Sequence, residues 1–518
     1  MKNILLLLLL FVLGGCIDDN GNYEYNSVRE LKVLDVDHIR LSQGESVTLT
    51  PKVIVYKDPT ETPIENIDFE WIIDNKVVST EPSFTFVAEE EGKFYGLLRF
   101  VDPLTKIVGT FDFDIRVDSK YKTGLVILSE ENGKGVLSFI RSKLSYANDS
   151  VVYEGEWKDI YAEMNGGEEL KGIPCSVVEH WVHNDNNPIC GELSILANDG
   201  GNKYIEELNG ESMKRETYIE QEFDGGQLPL NFAPKEIMQT CWDSFILDES
   251  GDVYIRRSTD KSAFHTGYFS DKVKLWNGQK FSKLMFSRYN KINALLALEI
   301  DQESGLQNYV GIVSYYNTEY RNLRRLELVT TDNEVDINDF KNIQDEVICS
   351  DWRNAGGYYQ SGMSVLLKTI NGDYVLHCFV LDEAATTSIE VVSSTKINLT
   401  KEKGLTNIVG MCTNKEKNYT YYCDDHTIYA LDNRHDNKFY DVKRFDKKIV
   451  AITDQSLQTN SSFPTSLVIA FEDGTIEIWE FERERPYEFR TKLYASQYTY
   501  GNIKDIAVKA GVNTIFLN

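Results

Sequence analysis

Hydrophobic and polar positions fall into three textures along the chain. The first is a block: a short basic start, Met1-Lys2-Asn3, precedes ten consecutive apolar residues, Ile4 to Leu13. Ten apolar residues are too few to span a bilayer and suit the core of a signal peptide. The second texture, over residues 30–118, is alternation. Leu31-Lys32-Val33-Leu34-Asp35-Val36, Ser46 to Thr50, Ile67 to Ile72, Ser83 to Val87, Phe94 to Phe100 and Thr110 to Val117 all read as short strands. Turn residues separate them at Gln43-Gly44-Glu45, Asp74-Asn75, Glu91-Gly92-Lys93 and Asp102-Pro103. About seven short strands with turns every 8–12 residues predict an Ig-like β-sandwich. Trp71 sits mid-strand, where such a sandwich buries an aromatic, and a core role is preferred over a sugar platform.

From residue 119 the texture becomes a loose repeat. An acidic or glycine-rich tight turn is followed each time by a strand of β-branched and aromatic residues. The copies begin with Glu131-Asn132-Gly133, Asp199-Gly200-Gly201-Asn202, Ser250-Gly251-Asp252, Glu303-Ser304-Gly305, Asn371-Gly372-Asp373, Asp424-Asp425-His426 and Glu472-Asp473-Gly474. The turns recur roughly every 50–67 residues and match the hairpin of a propeller blade. Residues 119–518 are therefore expected to form a β-propeller, with seven blades favoured over six or eight. Thr514-Ile515-Phe516-Leu517 is expected to close the ring beside Gly124-Leu125-Val126-Ile127-Leu128. The fold class is all-β, with a signal peptide over 1–15, an acidic tether over 16–29, the sandwich over 30–118 and the propeller over 119–518.

Small residues before a cysteine, Leu13-Gly14-Gly15-Cys16, change the reading of the leader. They resemble a bacterial lipobox, which implies lipidation of Cys16 and a membrane anchor without a spanning helix. Each buried methylene of such a lipid contributes about 0.8 kcal/mol. The charge excludes another class of function. With 54 Lys and Arg against 81 Asp and Glu, the formal charge is −27, so a nucleic-acid-binding role is not expected. Seven cysteines follow Cys16 without any CxxC spacing. Cys412 and Cys423 flank a possible hairpin and could bridge, while most of the seven read as small buried apolar residues.

Chemistry is harder to place. His180 and His183 lack the glutamate of a zinc-protease helix and would face opposite sides of a strand, so no metal site is expected. Asn184-Asp185-Asn186-Asn187 lacks the glycine and distal glutamate of a calcium loop. The chain contains no G-x-S-x-G, P-loop or dinucleotide fingerprint, and no cofactor is expected. Aromatics in loop-like stretches supply the binding candidates: Trp181, then His265 and Tyr268, then Trp352 with Tyr358 and Tyr359. Such rings offer flat faces to a sugar or a peptide side chain, or else plug the ends of a propeller channel.

Several stretches resemble the PKD-like surface lipoproteins of Bacteroidetes: residues Cys16 to Tyr25, Phe69-Glu70-Trp71, Gly92-Lys93-Phe94-Tyr95 with Val101-Asp102, and Leu128 to Gly133. Thr123-Gly124-Leu125 departs from the Gly-Trp pair that the family carries there. The resemblance implies a PKD-like sandwich and a lipid-anchored, surface-exposed position in the outer membrane. It also implies partnership with a SusC-like TonB-dependent barrel and a SusD-like lipoprotein that take up oligopeptides or glycans. The reading is thus a non-enzymatic accessory to nutrient capture. A surface hydrolase, glycosidase or lyase, working in the propeller funnel is the alternative.

Overall fold

The computed structural model describes residues 30–36, 38–145, 150–179, 192–239, 243–257, 269, 278–285, 294–314, 323–355, 360–382, 387–414, 417–433, 438–455 and 465–509. Contacts divide the chain into two units between Asp118 and Ser119, where the sequence pattern itself changes.

In the first unit a five-stranded sheet runs in the order Ile39–Ser42, Val108–Asp118, Gly92–Val101, Asp68–Ile73 and Lys76–Ser79. Two strand pairs complete it: Leu31–Leu34 with Lys52–Val55, and Ser46–Leu49 with Phe84–Val87. Alternation along the long strands turns Leu98, Phe100, Phe113, Ile115 and Val117 inward. Trp71 is fully buried among them, its ring 5.9 Å from that of Phe113 and edge-on to it. Its indole N–H reaches the Glu81 carbonyl at 2.9 Å, which satisfies the one polar atom that burial would strand. Asp74 and Asn75 carry the hairpin between Asp68–Ile73 and Lys76–Ser79, both with positive φ. That is the geometry Asn and Asp tolerate best after glycine.

The second unit is a seven-bladed propeller. Within each blade after the first the strands follow one another in chain order, and one eight-stranded sheet comprises two blades. The inner strand of the first blade is Asn502–Lys509, followed outward by Gly124–Glu131, Lys134–Ser145 and Ser150–Trp157. Inner strands of the second to seventh blades are Ile173–Glu179, Pro234–Gln239, Lys280–Met285, Glu346–Asn354, Gly410–Thr413 and Ile449–Asp454. Each inner strand touches the next, and the last touches the first, so the seven form a closed ring. Within a blade the backbone is satisfied by its own ladder, but among the described residues no inner strand pairs with the next inner strand. Three junctions fill that gap with a carboxylate. Asp505 accepts the Val177 N–H at 2.9 Å, Glu236 the Leu284 N–H at 3.0 Å, and Asp351 the Thr413 N–H at 2.8 Å.

All seven turns read from the sequence link the second and third strands of their blades. At Gly474, φ is +79°, and a Cβ would lie 2.8 Å from the Gly501 nitrogen, so a side chain has no room. The ring does close on Gly124–Glu131, but through Asn502–Lys509. Thr514–Leu517 lies outside the described residues. The closing strand escapes a period-two pattern because Lys504 is a β-bulge, which puts Ile503 and Ile506 on the buried side at a spacing of three. The same skip occurs at Cys175, Lys235, Ser282, Ile348 and Val450, so six of the seven inner strands are bulged near their start among the described residues. Glu156 clasps the closure. Its carboxylate accepts from the Tyr494 hydroxyl at 2.5 Å, from the Gln497 and Tyr498 backbone at 2.8 and 3.1 Å, and from the Tyr500 hydroxyl.

The fourth and fifth blades are joined differently. Their outermost strands, Leu323–Val329 and Ser388–Asn398, pair in parallel at Glu327–Val329 and Ser388–Glu390. The two blades thereby become one eight-stranded sheet curled around a common apolar cluster. Leu298, Phe340, Met363, Val365, Phe379 and Leu381 are all buried there.

Candidate ligand-binding groove

A surface groove of about 470 Å³ opens between the outer parts of the sixth and seventh blades, within the range of ligand sites. One wall is the outermost strand of the sixth blade, Lys438–Arg444, which contributes Tyr440, Asp441, Val442 and Lys443. The other comes from the seventh blade: Trp479 on the strand Ile476–Phe481, then Tyr487, Glu488 and Phe489 where the outermost strand Phe489–Ala495 begins.

The second wall is held from both sides. Backbone bonds close the turn over 482–488, with the Glu482 N–H donating to the Glu488 carbonyl at 2.8 Å and the Glu488 N–H to the Arg485 carbonyl at 2.9 Å. The Tyr421 hydroxyl, buried in the sixth blade, donates to the Pro486 carbonyl at 2.7 Å. Behind the groove a column of rings runs outward from the core. Tyr421 stacks on Phe481 at 4.8 Å, Phe481 on Phe489 at 4.6 Å, and Phe489 leans on Trp479 at 5.5 Å. Across the groove Tyr440 and Tyr487 stack with centroids 3.7 Å apart and planes within 9°. The Lys443 ammonium lies 3.6 Å from the Trp479 ring centre. The Trp479 N–H donates to Glu477 at 2.8 Å, and Glu477 is also paired with Lys492.

Charges at the rim are already matched. Asp441 pairs with Lys403 at 3.1 Å, and Glu488 pairs with Arg485. Four half-buried aromatic rings, with Asp441 and Glu488 each ion-paired at the rim, make up most of the lining.

Two buried ionisable groups elsewhere in the propeller are tied into its packing. Between the second and third blades, burial disfavours the charge on Arg256, but Glu207 and Glu222 outweigh it and hold the guanidinium above its ordinary pKa. Arg256 reaches Glu207 at 2.8 and 2.9 Å and Glu222 at 2.6 Å. In the fifth blade His377 is fully buried against Phe340 and Phe379, and burial lowers it to about 3. Its Nε2 meets the Ser394 hydroxyl at 2.9 Å. Among the described residues, no group of three or more His, Cys, Asp or Glu is arranged to hold a metal.

Of the binding residues expected from sequence, Trp352 alone falls in the described part. It lies on the inner strand Glu346–Asn354 instead of a loop, is 5% exposed, and packs in the cluster between the fourth and fifth blades. The aromatic-loop reading fails there because Trp352 continues a strand whose partner residue is Met363. Cys16, Trp181, His265, Tyr268, Tyr358 and Tyr359 lie outside the described residues. The suggested bridge between Cys412 and Cys423 is absent: both are buried free thiols. Register sets Cys412 opposite Tyr421 and Cys423 opposite Gly410, so the two sulfurs are out of step. Tyr440, Trp479, Tyr487 and Phe489 are not among the binding residues expected from sequence. The available signal is the density of aromatics in the last two blades.

Residues 16–174 match the PKD-like family. No curated protein matches. Solved structures similar to the chain include a quinonprotein alcohol dehydrogenase-like protein from Bacteroides thetaiotaomicron, 12% identical, with a TM-score of 0.40 over 92% of this chain and 99% of that one. Another is the β-propeller domain of Myceliophteria thermophila Cps50 (Swd1), 10% identical, with a TM-score of 0.36 over 70% and 97%.

Proposed function

We propose that this protein is a non-enzymatic lipoprotein, anchored through Cys16 on the outer face of the outer membrane. There it assists a SusC-like TonB-dependent barrel and its SusD-like lipoprotein in capturing oligopeptide or glycan nutrients. The observation that carries this reading is a coincidence of position. The PKD-like match begins at residue 16, the cysteine that ends Leu13-Gly14-Gly15-Cys16 behind a ten-residue apolar core. A family match that starts where a lipid would be attached supports a chain in which the PKD-like unit follows the anchor. The propeller would then present its grooves to extracellular solute.

The test is a pull-down of the tagged full-length protein from outer membranes solubilised in mild detergent, with mass spectrometry of the eluate and metabolic labelling with palmitate. Label on the wild type but not on Cys16→Ala, with a barrel and a lid protein co-eluting, is the expected result. An unlabelled protein recovered from the periplasm without those partners would overturn it.

A further inference from the structure

We infer that Arg353, at the seam between the fifth and sixth blades, anchors a binding site for a monovalent carboxylate. Arg353 is the penultimate residue of the inner strand Glu346–Asn354 and is 5% exposed. Its guanidinium makes one hydrogen bond, from Nη1 to Asn418 Oδ1 at 3.0 Å, and its buried Nε makes none. A guanidinium carries five N–H groups and keeps its charge, and a buried charge without a counter-ion is costly. Arg256 shows how the same chain treats a guanidinium buried as deeply: Glu207 and Glu222 both bind it. Among the described residues no carboxylate does this for Arg353. The nearby Cys378 thiol brings no negative charge, because burial pushes its pKa up against the pull of Arg353.

The backbone makes room for the arginine. Its partner across the ladder is Gly362, where a Cβ would lie 2.7 Å from the arginine Cγ and Nη1. Any other residue there would push the guanidinium aside. Neutral groups from both blades surround it. The Asn418 carbonyl accepts the Asn433 N–H at 3.0 Å, and Asn433 Nδ2 donates to the Thr420 hydroxyl at 2.8 Å. That hydroxyl meets Ser364 Oγ at 2.7 Å, and Ser364 lies 3.6 Å from Cys378 Sγ. Asn418 precedes the second strand of the sixth blade, Tyr419–Cys423, and Asn433 follows the third, Thr427–Asp432. Both therefore sit on the face of the ring where Glu346–Asn354 ends.

Charge and shape choose the ligand. One guanidinium balances one negative charge, whereas a phosphate dianion would leave a second uncompensated in a chain already at −27. The planar fork of N–H groups matches the two oxygens of a carboxylate. Asn433 adds a condition, since its Oδ1 is buried without a partner and calls for an N–H or O–H donor. The C-terminus of a peptide brings a carboxylate and a neighbouring amide N–H; a free small acid such as acetate brings the carboxylate alone.

The experiment is thermal unfolding of the detergent-solubilised full-length protein, each anion being compared with sodium chloride at equal ionic strength. Acetate and triglycine should raise the midpoint by binding the folded state, and triglycinamide, which has no carboxylate, should not. Triglycine acting at about fivefold lower concentration than acetate, the worth of one added hydrogen bond, assigns the site to a peptide terminus; equal potency assigns it to a free small acid. Arg353→Met removes a desolvated charge and should lose the response while unfolding no earlier than the wild type in chloride. Arg353→Lys replaces the fork by a point charge and should need several times more ligand, which keeps the test open if Arg353→Met fails to fold. Inorganic phosphate as effective as the carboxylates, a response unchanged in either variant, or no response of the wild type to acetate or triglycine would each overturn the site. The transporter role is read separately, by co-elution of barrel and lid, and does not depend on this site.

Discussion

Two seams of the same ring solve one problem in opposite ways. Adjacent blades diverge outward, so their outer strands leave a wedge to be filled. Between the fourth and fifth blades the wedge is removed: outer strands pair at Glu327–Val329 and Ser388–Glu390, and the interior is packed with apolar side chains. Between the sixth and seventh blades the wedge stays open at its rim and is lined with Tyr440, Trp479, Tyr487 and Phe489. The first seam hides apolar surface completely. The second leaves its rings half-buried at the surface. Position in the ring therefore does not dictate use; side chains on the outer strands do.

The largest expected effect lies at the closed seam. Phe379 is fully buried against Phe340 and Tyr309, and Phe379→Ala should cost about 3–5 kcal/mol by denaturant unfolding, as for other large-to-small core changes. A cost no larger than that of a groove substitution would dissolve the contrast. Next comes a seam held by a carboxylate. Burial raises Asp505 from its ordinary 3.8 to about 6, although the Val177 and Ile506 N–H groups oppose the shift. The folded state then holds a proton that the unfolded state releases between about pH 4 and 6. Its stabilisation is complete below that window and is lost as pH rises through 6, on the order of 2–3 kcal/mol. Asp505→Asn should flatten this slope in melts at pH 4.5 and 7.5; an unchanged slope would remove Asp505 as its origin.

Smaller effects test how tightly each seam is built. A Cβ on Gly311 would fall 2.3 Å from Ile389 Cδ1, beside the parallel pairing. Gly311→Val should therefore cost about 1–3 kcal/mol by overpacking, and hydrogen exchange should show the pairing of Glu327–Val329 loosened. At the open seam, Tyr487→Ala removes one face of the 3.7 Å stack with Tyr440 and should cost only about 1 kcal/mol in stability. A drop of several kcal/mol would recast the groove rings as core.

The contrast between the seams also explains what was legible in the sequence. Tight turns were readable where Gly133, Gly251, Gly372 and Gly474 meet positive φ between the second and third strands of their blades, so the repeat followed from spacing and favoured seven blades. Strand identity in the sandwich was readable where alternation is strict, as from Phe94 to Phe100, and missed at Ile39–Ser42, Lys52–Val55 and Lys76–Ser79. Lys52–Val55 and Lys76–Ser79 do not alternate: the first buries Val53 and Ile54 side by side and the second is mostly exposed. Bulges hid the closing strand by changing parity at Lys504. The groove was illegible for a different reason. Tyr487 and Tyr440 are 47 positions apart in sequence and meet only because two blades pack face to face. Trp352 shows the converse error, since a ring next to charged and glycine residues suggested a loop where a strand runs into the core.

Ring closure sets a clock on synthesis. The strand Gly124–Glu131 leaves the ribosome long before its inner partner, Asn502–Lys509. At about 5–20 residues per second, nearly four hundred intervening residues occupy tens of seconds. During that interval the inner edge of Gly124–Glu131 is an unpaired template, with Leu125 and Ile127 waiting for cover they have only in the finished ring. A chain that must travel before it folds, as an exported protein does, would spend that interval unfolded and avoid pairing the edge with the wrong strand.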